Sequence, residues 1–219
     1  MSKDIYAAKA INKAKVDKNP TLKRLLETEA TIMNIINHPN VLRLYEFIET
    51  ANNYYLIMDY CNDGDLEEHV RKYTFLGEEE SVYFLKQIMN AFKKLREFKI
   101  MHRDFKLANI LLNDDNIVIG DFGLAKSGVD IAATNLGSPV TMAPEILNPL
   151  GYEKYTNKID LWSIGVCFYQ MIFGRIPWKN PKSKTEHYKN IMAASGEKLE
   201  IPNYPPTSPE CKDLLRALL

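Results

Sequence analysis

A short stretch of the sequence carries polar side chains whose types suit reactions of phosphate groups. Asp104 is a carboxylate that can orient a hydroxyl group and accept its proton, and Lys106 can neutralise a negative charge. Asn109 and Asp121 offer oxygen atoms, the ligands that Mg²⁺ prefers, and each lies beside a short apolar run that could anchor it. Phosphoryl transfer needs positioning and charge neutralisation of this kind. The alternative for any one of these residues is an ordinary turn position, which Asp and Asn favour.

These side chains fall within three sequence motifs. The motifs are His102-Arg103-Asp104-Phe105-Lys106-Leu107-Ala108-Asn109, Asp121-Phe122-Gly123 and Ala143-Pro144-Glu145. Their order and spacing resemble those of the eukaryotic protein kinases, and three motifs in one register are a stronger signal than any one alone. The resemblance implies transfer of the γ-phosphate of Mg²⁺-ATP to a protein hydroxyl, with Asp104 as the base and Lys106 as the clamp on the γ-phosphate. Asn109 and Asp121 would then hold the metal.

The resemblance also bears on the acceptor. Lys106 is typical of serine/threonine kinases rather than tyrosine kinases, so the expected partners are protein substrates with Ser or Thr acceptors. Family members that demand basic substrates carry acidic residues where this chain has Ala108 and Gln170. Only Asp65 remains of that acidic set, so we expect no strong requirement for Arg on the N-terminal side of the acceptor.

A matching nucleotide anchor is expected near the N-terminus. Lys9 lies inside a short apolar stretch that is typical of a strand, and a lysine in such a place needs a partner. The triplet Ala7-Ala8-Lys9 stands where the kinase family has its A-x-K motif, so Lys9 would hold the α- and β-phosphates. Glu29 precedes His38-Pro39-Asn40 by nine residues, the register of the family's partner glutamate. Glu27 is the nearby competitor.

The segment from Leu56 to Leu66 resembles the kinase hinge. The resemblance assigns Met58 as the gatekeeper and the backbone groups of Asp59 and Cys61 to the adenine edge. It assigns Asp65 to the ribose or the substrate, and Ala7 and Leu111 to the two faces of the adenine ring. For the three apolar side chains the alternative is plain core packing. Together with segments 137–139 and 142–145, residues 60–66 look most like the autophagy-initiating kinase branch.

Regulation by a loop phosphate is a further expectation. Arg103, beside Asp104, implies a basic pocket for an anion. Thr134 lies four residues before Ser138, a typical activation-site position, and an upstream kinase or the protein itself could modify it. A phosphate on Thr134 would order the loop by pairing with Arg103, whereas the alternative is an unmodified polar loop. Ser138 is expected to bond near Asp104 and to shape the acceptor pocket.

Two further acidic residues, Glu145 and Asp160, have counterparts in the kinase family. In the kinase family, the residue equivalent to Glu145 pairs with an arginine near the end of the domain. Asp160 resembles the aspartate on a buried central helix that supports the catalytic loop, and a helix N-cap is an alternative compatible with that role.

Hydrophobic periodicity predicts the elements that must position these residues. Residues 1–60 read as a partial N-lobe with the family's third strand, a regulatory helix over 21–37 and two further strands over 41–49 and 54–60. Residues 61–64 form the hinge, and 65–219 form a mainly helical partial C-lobe whose helix at 159–173 is apolar on nearly all sides. The fold class is α+β with two lobes and the site between them.

The sequence departs from the kinase pattern in several places. The glycine-rich G-x-G-x-x-G loop and two strands before Lys9 are missing, and the chain stops at Leu219 before the arginine that pairs with Glu145. Thr141 replaces a tyrosine, and Leu107 replaces a proline. Because the polar set is intact, we expect a domain incomplete at both ends. The main alternative is a catalytically silent interaction module with the kinase fold. A small-molecule phosphotransferase is disfavoured by the long loop that Ala143-Pro144-Glu145 closes.

Composition excludes several other classes of protein. The 28 Lys and Arg residues balance the 28 Asp and Glu residues, whereas proteins that bind nucleic acid usually carry a basic excess. The three cysteines are far apart, which argues against a disulfide framework or a zinc site and favours a cytoplasmic location. There is no apolar signal core, and no stretch approaches the roughly 20 residues that a membrane span needs.

Overall fold

The small lobe is built on a three-stranded antiparallel sheet. The computed structural model describes residues 5–127, 137–148, 156–179 and 182–219. The strands are β1 (Tyr6–Asn12), β2 (Leu44–Glu49) and β3 (Asn53–Asp59), in the spatial order β1-β3-β2. In this register Ala7 pairs with Met58 and Lys9 with Leu56, so Ala7 and Lys9 lie on one face of the sheet.

Two helices follow β1 and complete the small lobe. They are the short α1 (Lys13–Asp17) and the long α2 (Pro20–Ile35). Asn19 caps α2, since its side chain accepts hydrogen bonds from the backbone N–H groups of Thr21 and Leu22 at 3.0 and 3.3 Å. Pro20 suits the first turn because it has no N–H to lose there. The buried face of α2 carries Glu29 together with apolar residues, so the helix directs this carboxylate towards the sheet.

The large lobe is mainly helical. Its longer helices are α3 (Leu66–Tyr73), α4 (Gly77–Glu97), α6 (Lys158–Phe173), α7 (Lys184–Ala194) and α8 (Pro209–Leu218), and α5 (Pro144–Leu147) is a single turn. Helix α6 is buried on nearly all sides, as its sequence predicts. It ends at Gly174, where φ is +68° and an added Cβ would lie 1.8 Å from the carbonyl oxygen of Thr74. Only glycine fits this contact between α6 and the loop after α3.

The segments between the helices contain short strands and single 3₁₀ turns. The strands are β4 (Ile100–Met101) with β7 (Lys126–Ser127), and β5 (Ile110–Asn113) with β6 (Asn116–Ile119). Single 3₁₀ turns form at Leu107–Asn109, Pro139–Thr141 and Gly196–Lys198. Among the helices of these described segments, none is long and apolar enough to cross a membrane.

Asn40 joins the small lobe to the large one. Its side-chain amide donates to Gln87 Oε1 on α4 at 2.8 Å and to the carbonyl oxygen of Ile117 at 2.9 Å. The neighbouring Val41 forms a parallel bridge with Ile119. The arrangement of a small antiparallel sheet beside a helical lobe confirms the expected α+β fold, while the boundaries assigned to the hinge stay a prediction.

Candidate active site

A buried carboxylate on α6 holds the loop between β4 and β5. Asp160, on the first turn of α6, accepts the backbone N–H of His102 at 2.9 Å and that of Arg103 at 3.0 Å. Burial raises the pKa of Asp160, and the nearby His102 and the two N–H groups act in the opposite direction. The N-cap of α6 is Asn157, so the geometry favours the bracing role of Asp160 over the capping role.

His102 fixes the same loop from inside the lobe. Its side chain is fully buried, and Nε2 lies 3.0 Å from the carbonyl oxygen of Gly120. Because a carbonyl can only accept, Nε2 carries the proton and Nδ1 is left to accept the backbone N–H of Asp104 at 3.4 Å. Phe122, also fully buried, packs with its ring centroid 5.0 Å from that of His102. The buried rings therefore connect the two motifs that carry Asp104 and Asp121.

Asp104 is oriented through both carboxylate oxygens. Its Oδ1 accepts the backbone N–H of Ser138 at 2.6 Å, and its Oδ2 lies 3.1 Å from Lys106 Nζ. The Asn109 side-chain amide donates to the Asp104 carbonyl oxygen at 2.8 Å. A carboxylate placed in this way can hold an incoming hydroxyl group, with a cation beside it that can neutralise a phosphate.

Asn109 and Asp121 stay the predicted ligands of a divalent metal ion, since they carry oxygen atoms of the kind that such an ion prefers. Because Asn109 uses its NH₂ group on the Asp104 carbonyl oxygen, its own amide oxygen is left as an acceptor. The carboxylate of Asp121 belongs to an exposed residue with φ of +58°. Across the described residues, no three His, Cys, Asp or Glu side chains gather to hold a metal by themselves. A metal bound here would depend on further oxygens from a nucleotide, which is how Mg²⁺ is usually held in phosphate-transfer sites.

The ion pair expected between Lys9 and Glu29 is present. Lys9 Nζ lies 2.7 Å from Glu29 Oε1, and the Glu29 side chain is 9% exposed while that of Lys9 is 42% exposed. Glu27 lies on the exposed side of α2, so it does not compete for Lys9. An added Cβ on Gly123 would lie 3.4 Å from Asp121 Oδ1 and 3.8 Å from Glu29 Oε2. The anchor and the predicted metal ligand therefore face each other across Gly123.

The residues predicted around the adenine lie on neighbouring elements. Ala7, Met58 and Leu111 are all half-buried, and Leu111 bridges to Asp65 at the start of α3. One oxygen of Asp65 accepts the Glu68 N–H at 2.9 Å and caps α3, a role that the sequence analysis missed. The assignment of Asp65 to the ribose or substrate stays a prediction.

The segment predicted to be the hinge has two residues whose contacts bear on ligand binding, Asp59 and Cys61. The carboxylate of Asp59 accepts the Arg43 N–H at 3.1 Å and the Tyr45 hydroxyl at 2.8 Å. No described residue accepts a hydrogen bond from the backbone N–H of Cys61, which leaves this donor for a ligand. Burial and the charges of Asp59 and Asp63 raise the pKa of the Cys61 thiol to about 11, so the thiol stays protonated at neutral pH.

The predicted regulatory residues are only partly described. Arg103 has φ of +67°, and its Nε donates to the carbonyl oxygen of Leu124 at 2.7 Å. Thr134 lies outside the described residues. Ser138 contacts Asp104 as expected, but through its backbone N–H. Glu145 is half-buried, and no hydrogen bond or ion pair joins it to another described residue.

Gly137 is a residue of the site that the sequence analysis did not single out. Its φ is +119°, and an added Cβ would lie 2.9 Å from the carbonyl oxygen of Arg103 and 3.6 Å from Asp104 Oδ1. A glycine directly before Ser138 was the available signal, because a close approach between two backbones often requires glycine. This contact brings the Ser138 N–H to Asp104.

We expect Gly137→Ala to lower kcat/KM for the acceptor about tenfold and to leave KM for ATP unchanged, because backbone strain of 1–2 kcal/mol moves the Ser138 N–H. The measurement is steady-state kinetics with each substrate varied in turn. Gly196→Ala is the matched control, since Gly196 also has a positive φ, +62°, but an added Cβ there has nothing within 4 Å. An equal loss in both variants would contradict this prediction.

Comparison with known proteins gives the family. The protein kinase domain matches residues 1–219. The chain is 37% identical to a Dictyostelium discoideum protein named serine/threonine-protein kinase atg1, with 98% of this chain and 32% of the relative covered. It is 36% identical to serine/threonine-protein kinase ULK3 of Xenopus laevis, with 100% and 46% covered, and 37% identical to human serine/threonine-protein kinase ULK1, with 97% and 21% covered.

The chain therefore spans less than half the length of each of these three relatives. The similarity nevertheless runs through the whole of the given sequence, so it includes every motif from Lys9 to Glu145. These matches confirm the recognition made from the motifs: the chain belongs to the protein kinase family, among the serine/threonine-protein kinases.

Proposed function

We propose that this chain transfers the γ-phosphate of Mg²⁺-ATP to Ser and Thr hydroxyl groups of protein substrates. The observation that carries the proposal is the Asp104 carboxylate, which is oriented by the Ser138 N–H on one oxygen and by Lys106 on the other. The intact Lys9–Glu29 pair on the facing lobe supports it.

The chemistry assigned to the chain's residues follows from their positions. Asp104 orients the acceptor hydroxyl and accepts its proton, since its carboxylate is held at both oxygens. Lys106, beside that carboxylate, neutralises charge on the transferred phosphoryl group. When bound, Mg²⁺ supplies charge neutralisation between the phosphates, and the Asn109 amide oxygen and the Asp121 carboxylate are the ligands offered by the protein.

The nucleotide would lie between the lobes. Lys9, aligned by Glu29, holds the α- and β-phosphates, and the Cys61 N–H and a backbone group of Asp59 bind the adenine edge. Ala7 and Leu111 lie on the two faces of the adenine ring, and Met58 is the gatekeeper residue behind it. Each of these three apolar side chains is half-buried, which leaves part of its surface open to a ligand.

We also propose that phosphorylation regulates the loop between Asp121 and Glu145. Phosphorylation of Thr134, by an upstream kinase or by the protein itself, would add about −1.5 to −2 charges and place them near Arg103. Ser138 shapes the acceptor pocket beside Asp104.

A transfer assay tests the proposed function. The protein is incubated with Mg²⁺-ATP labelled in the γ-phosphate and with three peptide mixtures whose only acceptor is Ser, Thr or Tyr. We expect label in the Ser and Thr mixtures and none in the Tyr mixture, with no dominant preference for Arg before the acceptor. The alternative, a catalytically silent interaction module, predicts no label in any mixture. That outcome would refute the proposal if the protein is folded and binds ATP.

A further inference from the structure

Residues 137–141, here called the acceptor turn, are held at three points. The Ser138 N–H donates to Asp104 at 2.6 Å, which ties the turn to the catalytic loop. The Ser163 hydroxyl donates to the Thr141 carbonyl oxygen at 2.8 Å, which ties it to α6. The third contact comes from α7, where His187 Nε2 lies 3.3 Å from the Val140 carbonyl oxygen. This last contact belongs to no motif that the family resemblance assigned.

The protonation of His187 follows from its partners. The Val140 carbonyl can only accept, so the proton of the neutral ring lies on Nε2. Nδ1 is buried and has no hydrogen-bond partner among the described residues. Burial lowers the pKa of His187, which keeps the ring neutral at pH 7. A buried ring nitrogen without a partner is unfavourable, so an apolar side chain would serve packing better. The N–H donated to Val140 gives the imidazole its advantage.

The His187 ring is also held in place by the capped start of α7 and by Trp178. Ser183 caps α7 by accepting the Glu186 N–H at 3.1 Å, and the Glu186 carboxylate accepts the Lys182 N–H at 2.8 Å. His187, the next residue, is fully buried, and Trp178 meets its ring edge-on at 5.8 Å between centroids. Trp178 in turn stacks on Trp162 of α6, at 5.3 Å and 1° between the planes. Helix α7 therefore presents a rigid N–H to the acceptor turn.

We propose that His187 is a positioning residue for the protein acceptor: it holds the Val140 carbonyl, and through the acceptor turn it keeps the Ser138 N–H on Asp104. The inference rests on the proposed kinase activity and deepens it, because it makes α7 part of acceptor recognition. Nucleotide binding, which involves Lys9 and the hinge, does not depend on this contact.

Two variants of His187 test the proposal. Gln keeps an N–H near the position of Nε2, whereas Leu removes it and retains an apolar group of similar bulk. We expect His187→Leu to lower kcat/KM for a Ser peptide about fivefold to tenfold, the effect of one lost hydrogen bond, and to leave KM for ATP within about twofold. His187→Gln should recover most of the loss. Equal losses in both variants, an equal rise in KM for ATP, or no loss at all would overturn the proposal.

Amide hydrogen exchange gives a readout that does not require turnover. In the unmodified protein the Ser138 N–H should exchange slowly, because Asp104 accepts it. His187→Leu should speed exchange in a peptide spanning the acceptor turn, and His187→Gln should restore protection. If the unmodified protein transfers no phosphate, the proposed function fails, yet exchange still decides whether His187 holds the turn. Unchanged exchange in His187→Leu would overturn the inference in either case.

Discussion

Asp104→Asn should lower kcat for phosphate transfer by about 10³-fold while leaving the fold and the affinity for ATP unchanged, since positioned general bases contribute about 10²–10⁴-fold. The side-chain oxygen of Asn can still accept the Ser138 N–H, which the carboxylate accepts at 2.6 Å. Its NH₂ group would then face Lys106, so a donor meets a cation where the carboxylate had an ion pair at 3.1 Å. The variant therefore loses the proton acceptor and the ion pair with Lys106 but keeps the hydrogen bond from the Ser138 N–H.

The control for Asp104→Asn is the same substitution at Asp114. Asp114 is exposed in the turn between β5 and β6, where its φ of +54° is one that Asn tolerates well. Single-turnover transfer to a Ser peptide measures the chemical step, and equilibrium titration measures ATP affinity. A residual rate within tenfold of the unmodified protein would show that Asp104 is not the base. A matching loss in Asp114→Asn would show that the effect is not specific to the site.

Two long-range contacts of the polar centre could be predicted from the sequence because its residues lie in short motifs of fixed spacing. Lys9 and Glu29 are 20 positions apart, and their pairing came from the register of each residue against a family motif. The bracing role of Asp160 was expected in the same way, although 58 positions separate it from His102. The motifs thus supplied long-range contacts that hydrophobic periodicity alone does not indicate.

The parts that were missed depend on backbone geometry that no motif records. Gly137 matters because two backbones approach closely, and His187 matters because α7 packs against the acceptor turn. Both facts arise only when distant segments fold together. The contact of Ser138 with Asp104 was expected, but nothing in the residue type showed that the backbone N–H would make it.

Some features of the strands and helices follow from the local sequence, whereas others are set by tertiary contacts. The predicted strand from Val41 begins at Leu44 in the structure, because Val41 instead pairs with Ile119 of the large lobe. A break in the β2–β3 register between Leu44 and Glu46 further shortens the regular part of the strand. Helix α6, in contrast, is buried on nearly all sides as its composition predicts, since composition alone reports full burial.

Asp160→Ala should destabilise the protein by about 2–3 kcal/mol, because it leaves one buried and one partly buried N–H group without an acceptor at a cost of about 1–3 kcal/mol each. Those groups belong to His102 and Arg103, at 2.9 and 3.0 Å from the carboxylate. The expected loss lies at the low end of the cost for two such groups, because the substitution also removes a carboxylate whose burial is itself unfavourable. That burial raises the pKa of Asp160. Since the same loop carries Asp104, kcat should fall together with stability.

Chemical denaturation measures the free energy of unfolding of Asp160→Ala, and Asp213→Ala provides the control. Asp213 makes a 3.6 Å ion pair with Arg216 on α8, and its side chain is 79% exposed. Solvent screens such a pair, so its loss should cost at most about 1 kcal/mol. Asp160→Asn keeps one acceptor and should lie between the control and Asp160→Ala. If Asp160→Ala unfolds at the same denaturant concentration as the control, the two N–H groups have found other acceptors, and Asp160 does not hold the catalytic loop.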